Sequence, residues 1–126
     1  MPYELRQWPW NVYPKEVLDD FPEAMADVDV ALKEIQAYGP NPITYSVKPL
    51  PKNLKGLWQL SMKSGGRQIR LLYSAYGQTI VVSRIHKKSS PQEQQRAYDL
   101  ALQRKKKADE IIRTSGVGNV ASLTLH

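Results

Sequence analysis

The 126-residue chain has no cysteine, two histidines and a single phenylalanine. Without cysteine, neither a disulfide framework nor a thiolate metal site can form. With only His86 and His126 to offer imidazole, a histidine-rich metal site is excluded as well. No apolar run approaches the ~20 residues that a membrane-spanning helix requires. The opening residues, MPYELRQWPW, lack the apolar stretch behind a basic one that marks a secretory signal. The expectation is a cytoplasmic protein with no cofactor, no metal and no membrane partner.

Acidic side chains are scarce in one part of the chain only. Residues 1–50 carry four Lys/Arg against eight Asp/Glu, whereas residues 51–126 carry fourteen against four. A basic half of that size attracts phosphate backbones or acidic partners across a Debye length of ~8 Å. A solubilising surface would show the same charge, so charge alone leaves both readings open.

The length suits one domain, here expected over residues 1–113, with residues 114–126 a flexible tail whose VASLTL could still add an edge strand to a partner or to the sheet. Arg6 to Val12 reads as a first strand, and Pro9 within it argues for a sheet edge. Trp8 and Trp10 would share one face of that strand, as core or as a surface for a partner. Pro14 opens a short helix, PKEVLDDF, and Pro22 a second one that Gly39-Pro40 stops. Met25, Val28, Leu32 and Ile35 give the second helix one apolar stripe. Neither helix shows any chemistry. Residues 40–55 hold four of the nine prolines and read as a wandering connection, to which Lys48, Lys52 and Lys55 add positive charge.

Three strands follow, over Leu57–Ser61, Arg67–Ser74 and Thr79–His86, the first two joined by Ser64-Gly65-Gly66. If Ala75-Tyr76-Gly77 is a three-residue loop, Ser74 stands opposite Gln78. Leu71 then faces Val81 and Ile69 faces Ser83, with Tyr73 and Ile85 on the same apolar side, under the two helices. Arg70 faces Val82 and Gln68 faces Arg84 on the other side. A two- or four-residue loop would slip the register by one and bury Arg70 among apolar side chains, at high cost. Next, Ser90-Pro91-Gln92-Glu93 carries an N-cap, a first-turn proline and a capping box, and so starts a helix. Arg104-Lys105-Lys106-Lys107 lies on that helix, as a solvated face or as a contact for phosphates or an acidic partner.

Arg70, Arg84, His86, Lys87 and Lys88 thus converge on one face and its rim, with Lys63 near and Tyr76 and Tyr98 as freer aromatics. Basic groups edged by aromatics suit single-stranded RNA, whose phosphates need cations and whose bases stack. Cleavage by the adjacent 2′-hydroxyl needs a base, an acid and fixed positive charge for the phosphorane. Arginine supplies only the last. Lysine crowded by cations, or His86 without any pKa shift, can supply the proton transfers. The residues alone assign no role uniquely. Together with the family resemblance that follows, the working assignment places His86 and Lys87 in proton transfer beside Arg70, with Lys63, Arg84, Lys88 and Tyr98 holding the RNA.

The same stretch resembles a family. LKGLWQL, the strand Arg70-Leu71-Leu72-Tyr73, and IVVSRIHKKSSP opening a helix with Ala97 are similar to the phage-derived HigB-like branch of the RelE/ParE toxins. The resemblance spans about Leu54 to Ala101. It implies an α+β, RelE-like fold: two N-terminal helices on a small antiparallel sheet, then a C-terminal helix. It also implies the toxin of a type II toxin–antitoxin pair, an endoribonuclease that cuts mRNA on the ribosome without metal and is silenced by a cognate helix-turn-helix antitoxin. By position, Arg70 is the family's strand arginine, and Lys87 and Lys88 its basic pair. Gln59 stands where the family has an acidic residue, Ser61 where it has an arginine, and His86 where it has an aromatic. A ParE-like inhibitor of DNA gyrase and a non-catalytic RNA-binding module of the same fold remain as alternatives.

Overall fold

The computed structural model describes residues 2–54 and 56–125, with Lys52 in its backbone only; Met1, Lys55 and His126 lie outside the described residues. In chain order the elements are β1 (Glu4–Gln7), α1 (Lys15–Asp20), α2 (Met25–Tyr38), β2 (Ser46–Pro49), β3 (Trp58–Ser64), β4 (Arg67–Tyr76), β5 (Thr79–Lys87), α3 (Pro91–Ser115) and β6 (Ala121–Ser122). The strands form one sheet in the order β2-β3-β4-β5-β1-β6, so the fold is α+β around six strands. The sheet is mixed rather than antiparallel throughout, because β1 runs parallel to β5.

The hairpins carry the sheet. Gly65 and Gly66, at φ 57° and 81°, make a two-residue turn that sets Ser64 opposite Arg67. The second turn is also two residues, Gly77-Gln78, with Tyr76 opposite Thr79. The expected three-residue loop Ala75-Tyr76-Gly77, and the pairing of Ser74 with Gln78, are therefore overturned. Near the turn the pairing is displaced by three positions, which inverts its parity, and a β-bulge adds a fourth that restores the parity. Tyr73 pairs with Val82 but Leu72 with Arg84, which leaves Ser83 as the extra residue. Beyond the bulge Leu71 pairs with Ile85 and Arg70 with His86, in place of the expected partners Val81 and Val82. Arg70 stays off the face under α1 and α2 because the bulge restores the parity that the short turn removed.

One face of the sheet meets α1 and α2. Val17, Phe21, Val28, Leu32 and Ile35 bury against Leu60, Ile69, Leu71, Tyr73, Val82 and Ile85. Each such aliphatic side chain withdrawn from water contributes about 1.5–3 kcal/mol. Val82 rather than Val81 occupies this face. Val81 turns to the other side, against Ala108 and Val120. Leu57 and Leu72 meet Ala101 there too, so α3 covers most of the face expected to be openly cationic. Helix α3 starts as its sequence requires: Ser90 Oγ accepts the Glu93 N–H at 3.2 Å, with Pro91 in the first turn. The Glu93 carboxylate accepts from Ser89 Oγ.

Three further expectations change. The first strand ends at Gln7 and lies between β5 and β6, so Trp8 and Trp10 fall beyond it. Trp8 packs on the α3-side core whereas Trp10 is 73% exposed. The proline-rich connection contains β2, which pairs with β3 from Ser46–Ser61 to Pro49–Trp58. The flexible tail gives way to the other reading of VASLTL, an added edge strand: β6 pairs with β1, and both Val120 and Leu123 are buried.

Candidate nucleic-acid interface

Strand β1 covers β5 only as far as Val82, so the last turns of β5 lack a strand neighbour on that side. Helix α1 fills the gap. Between the end of α1, the end of β5 and the first turns of α3 lies a cleft of about 210 Å³, lined by Asp20, Arg84, His86, Lys87, Ser89, Glu93, Arg96, Ala97 and Leu100. The 25-residue helix α3 brings its N-terminus to this cleft, and the helix dipole favours anions there.

Three of the expected site residues meet on the α3-facing side of the sheet. Arg70 stands opposite His86 and Arg84 lies two residues away on β5. Arg70 Nη1 donates to Gln94 Oε1, and Arg84 Nη1 lies 3.1 Å from Glu16 Oε1. Arg70 Nε, Arg84 Nε and His86 Nε2 are all buried without a hydrogen-bond partner among the described residues. Buried polar atoms are almost always paired, so three unpaired nitrogens in one patch mark a place built for something other than stability.

His86 is 4% exposed. Burial pushes its pKa down to about 4, with the Arg84 and Arg70 charges acting in the same direction against a bond to the Lys87 carbonyl. The sequence expectation of an unshifted histidine is therefore corrected. At neutral pH His86 is uncharged, and with Nδ1 3.4 Å from the Lys87 carbonyl oxygen its Nε2 is left as an acceptor.

The remaining expected residues divide. Lys87 is exposed and lines the cleft, though alternation puts it on the opposite sheet face from His86. Lys88 is exposed just past it, its N–H bound to the Gln68 carbonyl at 2.8 Å, and does not line the cleft. Lys63 is exposed at the far end of β3, opposite Gln68. Tyr98 is not a free stacking surface. Its hydroxyl donates to buried Gln59 at 2.6 Å, and its ring stands edge-on to His86 at 6.4 Å between centroids. Tyr76 is likewise held, donating to Asp109, with Lys105 Nζ 5.7 Å from its ring centroid. Ser61 lies directly opposite Arg70, so the position at which the resembled toxins carry an arginine is inside this cluster.

Arg96, Ser89 and Glu16 were missed. Arg96 had a readable signal, since Glu93, Arg96, Ala97 and Leu100 fall on one side of a helix whose N-cap was evident. Glu16 had none: it reaches the site from a helix that carried no motif. The basic run on α3 is split, with Arg104 and Lys105 folded into ion pairs and Lys106 and Lys107 exposed. Among the described residues no cluster of His, Asp and Glu is placed to hold a metal ion, and no helix is long and apolar enough to cross a membrane.

Two helices against one sheet face, a third across the other, and a basic corner at the end of the central hairpin define a RelE-like α+β fold. One chain of the crystal structure of the toxin–antitoxin complex RelBE2 from Mycobacterium tuberculosis shares it, with a TM-score of 0.52 and 22% identity over 70% of this chain and 100% of that one. Residues 16–106 match the family described as phage derived protein Gp49-like (DUF891), and the chain belongs to that family. No curated protein matches the sequence.

Proposed function

We infer that this protein is the toxin of a type II toxin–antitoxin pair, of the HigB-like kind, and that it cleaves mRNA on the ribosome while a cognate helix-turn-helix antitoxin silences it. The observation that carries the reading is the cluster of Arg70, Arg84 and His86, three unpaired buried nitrogens beside a cleft that also holds Lys87 and Arg96. Membership of the Gp49-like family and the RelE-like fold support it.

In this reading Arg70 and Arg84 stabilise the phosphorane charge. Neutral His86 accepts the 2′-hydroxyl proton through Nε2. Exposed Lys87 supplies the proton to the leaving oxygen, and Lys63, Lys88 and Arg96 hold the flanking phosphates. A specific observation favours a second reading, RNA binding without cleavage: Ser61 stands beside Arg70 where the resembled toxins carry another cation.

Primer extension on mRNA after induction tests the first reading. Cuts are expected with the parent, and about tenfold fewer with Arg70→Ala or Lys87→Ala, as for a lost charge-assisted hydrogen bond. If both variants cut and arrest growth like the parent, the site is wrong. Intact mRNA with DNA-damage signals gives the ParE-like gyrase reading. Intact mRNA with strongly salt-dependent RNA binding gives the binding module.

A further inference from the structure

Glu16 lies in the acidic part of the chain, yet its carboxylate meets three groups, on Arg84, Ile85 and Arg104. It is only 11% exposed, and each oxygen has work on the basic side. Oε1 accepts the Ile85 backbone N–H at 3.0 Å and faces Arg84 Nη1 at 3.1 Å. Oε2 accepts from Arg104 Nη1 at 2.6 Å. The same Arg104 nitrogen donates to the carbonyl of Ser83, the bulged residue, at 2.8 Å. One side chain of α1 therefore ties α3 to the bulge and to the uncovered edge of β5. The next residues along that edge are the cationic cluster.

We propose that Glu16 is a positioning residue: it fixes the Arg84 guanidinium at the wall of the cleft so that Arg84 is preorganised to bind an RNA phosphate. This rests on the reading of the cleft as an RNA site. Arginine has several rotatable bonds, and holding one in place ahead of binding removes an entropic cost that each phosphate contact would otherwise carry. Arg84 borders two adjoining clefts, the one described above and another of about 350 Å³ lined by Lys15, Glu16, Asp19 and Arg104. Released from Glu16, which itself lines the second cleft, its guanidinium is free to turn toward the carboxylate of Asp20, which lines both, Asp19 being paired with Lys15. Arg104 opposes that movement by bonding to the other oxygen of Glu16, and its own charge keeps Arg84 from taking its place.

A double-mutant cycle on RNA binding isolates the coupling, because a simple change of net charge cancels from it. The probe is a short fluorescein-labelled single-stranded RNA, read by anisotropy with the full chain. In the parent, Arg84→Ala is expected to weaken binding about tenfold, as for one lost charge-assisted hydrogen bond. In the Glu16→Gln background the same change is expected to cost less than about twofold, since Arg84 is no longer aimed. An equal loss in both backgrounds overturns the proposal. So does a larger loss in the Glu16→Gln background, which would make Glu16 a competitor of the phosphate, or no effect of Arg84→Ala in the parent. If Glu16→Gln fails to fold, Glu16→Asp replaces it, keeping the charge but withdrawing it by one methylene, with the same expectations. RNA that is bound with the expected coupling but not cut on translating ribosomes overturns the nuclease reading and leaves Glu16 in its role.

Discussion

Arg70 on β4 and His86 on β5 are direct cross-strand partners, and each carries a buried nitrogen with no hydrogen-bond partner among the described residues. A cation and a neutral imidazole held side by side, both short of partners, form a surface waiting for an acceptor and a donor at once. A phosphodiester with its 2′-hydroxyl offers both.

The histidine sets a pH dependence. Its folded pKa of about 4 lies below the ordinary 6.5 of the unfolded chain. The unfolded state therefore binds the proton first, and stability falls as pH drops from about 6.5 toward 4. The gap corresponds to about 3 kcal/mol at most. His86→Gln is expected to flatten the loss of melting temperature between these pH values. The imidazole proton resonances of His86 should keep their neutral positions down to about pH 5. A midpoint near 6.5 would sink the argument. The same shift requires that any pH–rate profile of cleavage lack a break near 6.5.

Arg70 should trade stability for function. Its Nε is buried without a partner, so replacing it by an apolar chain of similar length removes an unsatisfied group. Arg70→Met is expected to leave the unfolding free energy unchanged or raise it by up to about 1 kcal/mol, while RNA binding falls about tenfold. A variant that loses stability and binding together would make Arg70 a structural residue.

Gln59 tests whether a departure from the resembled family is structural. It is 1% exposed and accepts the Tyr98 hydroxyl, which in turn sets the ring edge against His86. Gln59→Ala leaves that hydroxyl without its acceptor and opens space in the core. Urea denaturation should show a loss of about 1–3 kcal/mol. Tyr98→Phe, which removes the hydroxyl but keeps the ring, should cost less.

Much of this fold was legible locally. Gly39 and Ser90 mark where helices stop and start, and Gly65-Gly66 where the first hairpin reverses, whereas the second reverses at Gly77-Gln78 and not over Ala75-Tyr76-Gly77. Alternation placed Ile69, Leu71, Tyr73 and Ile85 on one face, and they are there. What failed was non-local. The parallel pairing of β1 with β5 joins residues more than seventy positions apart and leaves no periodic trace. Strand β2 is four residues long and ends in proline, and β6 is two residues long. The bulge at Ser83 has no glycine to announce it. The site suffered from the same gap. Its cations were visible because charge is visible, whereas the carboxylate that aims one of them comes from a helix distant in sequence. Tyr98 was misjudged because an exposed position on a helix and a half-buried one look alike until α3 is docked.

The run Arg104-Lys105-Lys106-Lys107 on α3 gives the last test, because sequence treats its members alike and the structure does not. Arg104 is 18% exposed and bonds both Glu16 and the Ser83 carbonyl. Lys106 and Lys107 are exposed, and the nearest carboxylate to Lys107 is Glu110 at 3.8 Å. Breaking a largely buried pair from one side leaves the other charge uncompensated, at about 3–5 kcal/mol when burial is complete. Arg104 and Glu16 retain some exposure, and Arg84 still neutralises Glu16, so Arg104→Ala should cost about 2 kcal/mol. Lys106→Ala and Lys107→Ala should stay within about 0.5 kcal/mol. In urea titrations of the three variants, a common small effect would mean that the run is a solvated face throughout. A large effect confined to Arg104 would show that one residue of a charged run holds the bulge, and with it the edge of β5 on which the cationic cluster stands.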